Sequence, residues 1–368
     1  MEDWLTSTLG APAVLVTVAR VEGSVPREPG ARMLVEAECF RGTIGGGHLE
    51  HRALEIARGM LLTGGEAHIE RFPLGPSLGQ CCGGIAYLAF EMADAEQLAL
   101  LDKRRNEDTW RVVFVGWAAS PPARSTHART PDPTATEPQL VERAGGRPAH
   151  PTGLFDGSGR QLAGGEVPEF DRGQGTHLFE AGDGGRWLID AVLAPRAHLM
   201  LFGAGHVGAA IVRALAELPC RVTWVDERDD LFPAAIPANV TVEATDTPEA
   251  LVENAPQGTS FLVMTHSHAL DLRLSHAILS RPLVARPGPL STYGWFGLIG
   301  SDTKRRQFEH RLRERGVDAG RLDAMVCPVG LSGIEGKAPA VIAASVAAQL
   351  LTVWEAAARQ PDVSSEVN

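Results

Sequence analysis

What the 368-residue chain has little of narrows its class before any motif is read. Cysteine is scarce and odd in number, with five residues. Cys81 and Cys82 are adjacent, and Cys39, Cys220 and Cys327 stand far from them. This is no disulfide framework; it suits free thiols in a reducing compartment. No Cys-x-x-Cys with a matching second pair occurs, which excludes the common zinc arrangements. Positive charge is also short. The 34 Lys and Arg stand against 45 Asp and Glu, for a formal net charge of -11, which argues against non-specific binding of nucleic acid or an anionic membrane. Between Met1 and Pro12 there is no basic start with an apolar stretch behind it, and no apolar run reaches membrane-spanning length. The expectation is a soluble, cytoplasmic protein that engages neither nucleic acid nor membrane.

What is present is ordinary globular composition, 44% hydrophobic and 21% charged, in a chain long enough for two cores. The first domain is expected over residues 1–195. It opens with the β-branched strand Ala13–Ala19 and continues with alternating short strands and one clear helix. That helix follows Gly45-Gly46-Gly47, with Leu49, Ala53, Ile56, Ala57 and Met60 on one face and a Gly64-Gly65 stop. Seven prolines crowd Pro121–Pro151 without any hydrophobic period, marking a surface excursion at about 120–151. A second domain is expected over 196–360, and the tail 361–368 is read as disordered.

The first domain carries the less common chemistry. Gly79-Gln80-Cys81-Cys82-Gly83-Gly84 sets two thiols in a glycine frame, ahead of the apolar run Ile85–Phe90. Thiolate is a strong nucleophile and a soft metal ligand. On an exposed turn such a pair suits holding or shielding a soft, bulky, non-zinc group; as buried hydrophobes the cysteines would merely pack. Gly45, Gly46 and Gly47 at a helix start would leave N–H donors for an anion. They serve equally as a flexible turn, with Glu50 reaching back to cap the helix. Arg20, Arg27 and Arg32 either clamp phosphate or carboxylate or pair with Glu22 and Glu28.

In the second domain the apolar strand His198–Phe202 runs into Gly203-Ala204-Gly205-His206-Val207-Gly208, then a helix, then a strand ending in Asp226. This is the dinucleotide fingerprint in its strand–turn–helix context. Gly203 makes the turn, Gly205 admits a pyrophosphate, Gly208 lets helix and strand pack, and Asp226 stands where a ribose hydroxyl is bound. His266, His268 and Asp271 form a metal or acid–base cluster on one reading; on the other, Ser267 caps a helix while the histidines line the crevice. Gly300–Arg306 offers a phosphate site or an ordinary surface helix. The alanine-rich segment Ala338–Ala358 is expected to pack back on the first domain.

Taken in order, these motifs resemble the XdhC/CoxI accessory proteins of molybdenum hydroxylases. The resemblance rests on Gly23-Ser24-Val25-Pro26-Arg27, Gly30-Ala31-Arg32-Met33, Gly42–Gly47, Gly79–Gly84, Gly203–Gly208, Thr265–His268, Gly297–Ser301 and Cys327–Leu331. Ala338 departs from it, because the family commonly carries an acid there, and the Pro-rich excursion lies outside the pattern. The resemblance implies an N-terminal α+β domain followed by a Rossmann-like, doubly wound parallel sheet. It implies a carrier of the molybdenum cofactor, molybdopterin, rather than an enzyme. Such a carrier protects the cofactor while a cysteine desulfurase supplies sulfur, and delivers it to apo xanthine dehydrogenase. On that reading Cys81 and Cys82 meet the molybdenum end, and Arg27 and Arg32 assist the anion. Gly45–Gly47 or a Rossmann helix start takes the phosphate, and Gly203, Gly205, Gly208, Asp226 and His266 complete the cofactor-binding set. A homodimer is the default assembly. The competing reading is an NAD(P)-dependent oxidoreductase acting through Gly203–Asp226, with a thiol or His266 as the reacting group.

Overall fold

The computed structural model describes residues 3–6, 9–74, 83–117, 152–282 and 294–359. Cys81, Cys82, the whole Pro-rich excursion and the tail from Pro361 lie outside the described residues. The chain divides into two compact units, residues 2–194 and 195–368.

The first unit is built on two antiparallel five-stranded sheets. One comprises β1 (Val14–Glu22), β2 (Arg32–Val35), β3 (Phe40–Gly42), β4 (His68–Pro73) and β5 (Ile85–Met92), ordered β3-β2-β1-β5-β4. Helix α1 (Gly47–Thr63) crosses one face of it, burying Leu49, Ala53, Ala57 and Met60 against Val16, Met33, Leu88 and Phe90. This is the apolar stripe of the sequence, and each large side chain so buried contributes roughly 1.5–3 kcal/mol. Gly64 closes α1 in the left-handed conformation, its N–H bonded to the Met60 carbonyl. After α2 (Ala95–Lys103) come β6 (Thr109–Trp117), β7 (Thr152–Asp156), β8 (Gln161–Gly164), β9 (His177–Glu180) and β10 (Gly185–Val192), ordered β8-β7-β6-β10-β9. Ala19 and Ala89 of the first sheet pack on Val113, Val115 and Leu188 of the second.

Between these sheets lies a buried ion cluster. Asp190, fully inaccessible, accepts from Arg32 Nη2 at 2.5 Å and Nε at 3.1 Å, and from Arg111 Nη1 at 2.7 Å. Thr176 Oγ1 adds a bond at 3.2 Å, and Arg111 Nη2 reaches Glu91 at 2.5 Å. Burial alone would push the Asp190 carboxyl up, but the Arg32 and Arg111 guanidinia outweigh it and hold the group below the usual carboxylate range.

The second unit is a six-stranded parallel sheet. In chain order its elements are β11 (Ala197–Phe202), α3 (His206–Leu215), β12 (Cys220–Asp226), β13 (Val240–Ala244), α4 (Pro248–Asn254), β14 (Ser260–Val263), α5 (His268–Leu279), β15 (Trp295–Leu298), α6 (Asp302–Glu314), α7 (Ala319–Asp323), β16 (Met325–Val326) and α8 (Pro339–Ala358). The spatial order β13-β12-β11-β14-β15-β16 is that of a doubly wound dinucleotide fold, with its switch point between β11 and β14. The β-strand interiors, such as Leu199–Phe202, are buried on both faces, which explains their unbroken apolar sequence.

Among the described residues α8 alone is long and apolar enough to cross a membrane. It instead lays Ala343, Val346, Ala347 and Leu350 on α3 and the sheet of its own unit. Ile211, Val212 and Leu215 of α3 offer it a complementary apolar face. The helix opens on Ala338 with no side-chain cap.

Two measurements follow from these interiors. Asp190→Ala leaves two buried guanidinia without their shared counter-ion and is expected to cost about 3–5 kcal/mol, read by denaturant unfolding; a loss below 1 kcal/mol would show that the cluster is not needed for stability. His198 bridges Thr259 Oγ1 (3.0 Å) and Thr223 Oγ1 (2.9 Å), and burial pulls its pKa from 6.5 down to about 4. The unfolded chain takes up this proton between those values and the folded chain does not. The stability held by the neutral ring is therefore complete above pH 6.5 and falls progressively as pH drops toward 4. His198→Phe should flatten this part of the stability–pH curve.

Candidate functional site

In the first unit three motifs far apart in sequence meet at one corner. A side chain at Gly84 would collide with the carbonyl oxygens of Ser24 and Glu22, the latter at 2.7 Å, so β5 begins with its backbone pressed on the Gly23–Arg27 turn. Leu74 N–H donates to Gly84 O at 2.8 Å, which closes the root of the connection that carries Cys81 and Cys82. On its other side the turn meets α1. A Cβ at Gly45, where φ is +125°, would lie 2.6 Å from Pro26 Cβ and 3.4 Å from Arg27 Cγ. The structure thus brings together Arg27, Gly45–Gly47 and the base of the cysteine-bearing connection.

The helix start is less open than its glycines suggest. Glu50 Oε2 accepts from Thr43 Oγ1 at 2.6 Å, Gly46 N at 3.2 Å and Ile44 N at 3.3 Å, and Gly45 N goes to Thr43 Oγ1 at 3.1 Å. A carboxylate of the protein itself fills part of the anion cradle. The N–H groups of Gly47 and His48, with no side-chain cap, are what the first turn offers a ligand. Arg32 requires a correction. Its side chain is 7% exposed, held by Asp190 and stacked over the Trp4 ring at 5.0 Å, so it serves the interior rather than a bound anion.

In the second unit the fingerprint glycines do what their positions require. Gly203, at φ +123°, would collide with the Met264 carbonyl if it carried a side chain, and Gly208 packs directly on the Gly203 carbonyl. Gly205 is exposed and opens α3 with no side-chain cap and no acid in the first turn. Asp226, however, has no lone pair to spare. Its Oδ2 accepts from Ala204 N at 2.7 Å and Arg228 Nη2 at 3.0 Å, and its Oδ1 from Arg228 Nε at 2.9 Å and N at 3.1 Å. Burial would raise this carboxyl, but Arg228 and the Ala204 N–H hold it below its ordinary value. Asp226 therefore fastens the glycine loop to Arg228 in place of meeting a ribose diol.

Beside it lies a small recess lined by Phe202, Val225, Pro248, Leu270 and Leu274 on its apolar side and by Asp226, Glu227, Thr265 and His266 on its polar one. His266 sits at this recess, its Nε2 3.5 Å from Glu227 Oε1. Asp271 is engaged by Thr265 and Lys304. It is fully buried, bonded to Thr265 Oγ1 at 2.7 Å and paired with Lys304 Nζ at 2.7 Å. Among the described residues no three His, Cys, Asp or Glu side chains gather as a metal site. The cap reading is the one observed, with Ser267 Oγ accepting from Leu270 N. Lys304 is spent on Asp271, and Arg305 on Glu309 and the Cys327 carbonyl, so two of the three cations at the α6 start are unavailable to a phosphate. Cys327 is 2% exposed and burial pushes its thiol up to about 11, against the pull of Lys304 and Arg305, which leaves it inert as a nucleophile. Glu227 escaped notice in the sequence; its only signal there is adjacency to Asp226.

Comparison with known proteins decides the family. The model of the XdhC Rossmann domain matches residues 199–350, and that of the XdhC and CoxI family matches residues 8–73. The chain belongs to the XdhC and CoxI family. The crystal structure described as a xanthine dehydrogenase from Bacillus halodurans shares the fold of this XdhC-type chain, with a TM-score of 0.66 at 18% identity, covering 98% of this chain and 96% of that one. The uncharacterized protein YqeB of Escherichia coli K12 is 30% identical over 159 residues, which is 43% of this chain. The match spans 27% of the length of YqeB.

The glycine corner yields a direct test. Gly45→Ala adds both backbone strain and a collision with Pro26, whereas a Cβ at Gly46 meets nothing within 4 Å. Each change strains the backbone by about 1–3 kcal/mol, and Gly45→Ala should be the more destabilising in chemical unfolding. Equal losses would mean that the Pro26 contact does not hold the corner.

Proposed function

We propose that this XdhC-family protein is an accessory carrier of the molybdenum cofactor: it holds molybdopterin during sulfuration and delivers it to apo xanthine dehydrogenase. A cysteine desulfurase is its second partner, and it works as a homodimer in the cytoplasm. The observation that carries the reading is the convergence of the Gly23–Arg27 turn, the Gly45–Gly47 start of α1 and the root of the Cys81–Cys82 connection.

The described residues fit such a group at its anionic end. Nothing lies within 4 Å of where a Cβ would stand at Gly46, the first turn of α1 has no side-chain cap on its N–H groups, and Arg27 flanks it across Gly45. Glu50 restricts that cradle to the later N–H groups, which favours a single phosphate over a larger polyanion. Cys81 and Cys82 are assigned to the molybdenum end by their chemistry, since paired thiolates suit a soft metal–sulfur centre. When bound, the cofactor brings the redox-active molybdenum that a hydroxylase needs; this chain's residues bind it, orient it and shield it from water. Arg32 is withdrawn from the set. The competing oxidoreductase reading is weakened because Asp226 has its acceptors filled.

The test uses protein purified from cells that make molybdenum cofactor, analysed for molybdenum and by mass spectrometry for pterin, with an NADH titration on the same sample. Stoichiometric pterin and molybdenum in the wild type, lost in the Cys81→Ala, Cys82→Ala double variant, are expected. Tight NADH binding with no pterin would overturn the carrier function, and cofactor retained by the double variant would overturn the thiol assignment.

A further inference from the structure

We propose that two copies of this chain pair through the C-terminal unit about a two-fold axis lying along α5, with the basic α6 of each copy facing the acidic edge, at β13 and α4, of the other. The inference deepens the homodimer of the proposed function by naming its surface, and it makes no use of the cofactor.

Charge in this unit is sorted by position. From Asp302 to Arg315 the chain carries six Lys and Arg against three acids, in a protein whose formal net charge is -11. Lys304 and Arg305 are satisfied internally, but Arg306, Arg311, Arg313 and Arg315 are exposed and meet no carboxylate within ion-pair distance among the described residues. Phe308 and Leu312 hold the inner side of α6, so helical spacing sends Arg306, His310 and Arg313 to the outer one. From Asp226 to Asn254 the balance reverses, with eight acids and one arginine. That arginine, Arg228, is already fastened to Asp226. Glu243, Asp246 and Glu253 are exposed and meet no cation within ion-pair distance among the described residues. Val240 and Val242 of β13 pack with the α3 side of the sheet, so the alternate residue Glu243 stands on the α4 side.

Both charge groups thus share one side of the sheet. Val252 of α4, Leu274 and Ile278 of α5, and Phe308 and Leu312 of α6 enter the same core, while α3 and α8 cover the opposite face. Helix α5 lies between, in contact with α4 and with α6. All three return from the carboxyl ends of strands in a parallel sheet, so they run in one direction. Two such layers turned face to face about an axis along α5 set α6 of one copy over α4 of the other, and do so twice. This is the self-complementarity an isologous contact demands.

Between the charged rims stand Ala250, Ala269 and Ala277, small enough for the layers to approach, and Arg273, already paired with Glu249 at 2.6 Å. Three helices about 10 Å apart, the longest about 20 Å, present roughly 500 Å² per copy, which the β13 edge extends toward the about 800 Å² of a standard interface. A nucleic acid or an anionic membrane would meet the acids along with the arginines. A second copy offers acid to base and base to acid.

The experiment is sedimentation equilibrium of the full chain at about 50 mM and about 500 mM salt, with two variants of exposed residues. One is Arg306→Glu, Arg313→Glu; the other is Asp246→Lys, Glu253→Lys. Wild type should be dimeric at low salt, its dissociation constant rising at least about tenfold at high salt as exposed pairs are screened. Each variant alone should be monomeric, because it sets like charges opposite each other. Mixed in equal amounts, the two should form a heterodimer. Wild-type monomer at both salt concentrations would overturn the inference together with the homodimer. A dimer kept by either variant alone, or a monomeric mixture of variants that each unfold at the wild-type temperature, would overturn this interface and leave the homodimer standing.

Discussion

Glycine backbone pressed on a neighbouring main chain or on a rigid proline ring, at positions where no side chain fits, is the constraint on which both candidate sites rest. Gly84 against the Ser24 and Glu22 carbonyls and Gly45 against Pro26 draw two loops and a helix start onto one turn. Gly203 against the Met264 carbonyl and Gly208 against Gly203 do the same for the β11–α3 loop. Each contact removes the volume a Cβ would occupy, so the geometry is over-determined by packing rather than by any single hydrogen bond. A glycine of this kind has no tolerant neighbour in sequence space: an alanine there must move a main chain.

Superimposed on that frame is a consistent treatment of buried carboxylates. Asp190, Asp226 and Asp271 are each enclosed, and each is met by a cation: Arg32 and Arg111, Arg228, and Lys304. Such pairs contribute little net stability against an apolar alternative, yet losing one partner is costly. They act as fasteners. Asp190 ties two sheets, Asp226 ties a glycine loop to the segment after β12, and Asp271 ties the β14–α5 loop to the first turn of α6.

This habit explains what was legible in the sequence and what was not. The Rossmann unit was readable because strand, glycine turn, helix and terminal acid follow one another locally, and the α1 stripe because Leu49, Ala53, Ala57 and Met60 recur at helical spacing. Roles set by distant partners were hidden. Nothing near Arg32 in the chain announces Asp190, 158 positions on, so an interior cation read as an anion clamp. Asp226 read as a ribose ligand because its saturation depends on how Arg228 folds back, a matter of side-chain geometry rather than spacing. Glu50 was the intermediate case: its capping was foreseeable from proximity, but not that it would gather three donors.

Helix α8 has a bearing on how the protein is made. It supplies Ala343, Val346, Ala347 and Leu350 to the face of the parallel sheet that α3 also covers, and it is the last element of its unit to be synthesised. Leu199, Leu201, Val222 and Trp224 on that face therefore await their cover until α8 has been made, while the N-terminal unit, complete by β10, can already have closed. During translation the Rossmann half is the one exposed to chaperones and to aggregation. A ribosome stalled before α8 would leave a finished N-terminal unit joined to an unfinished parallel sheet.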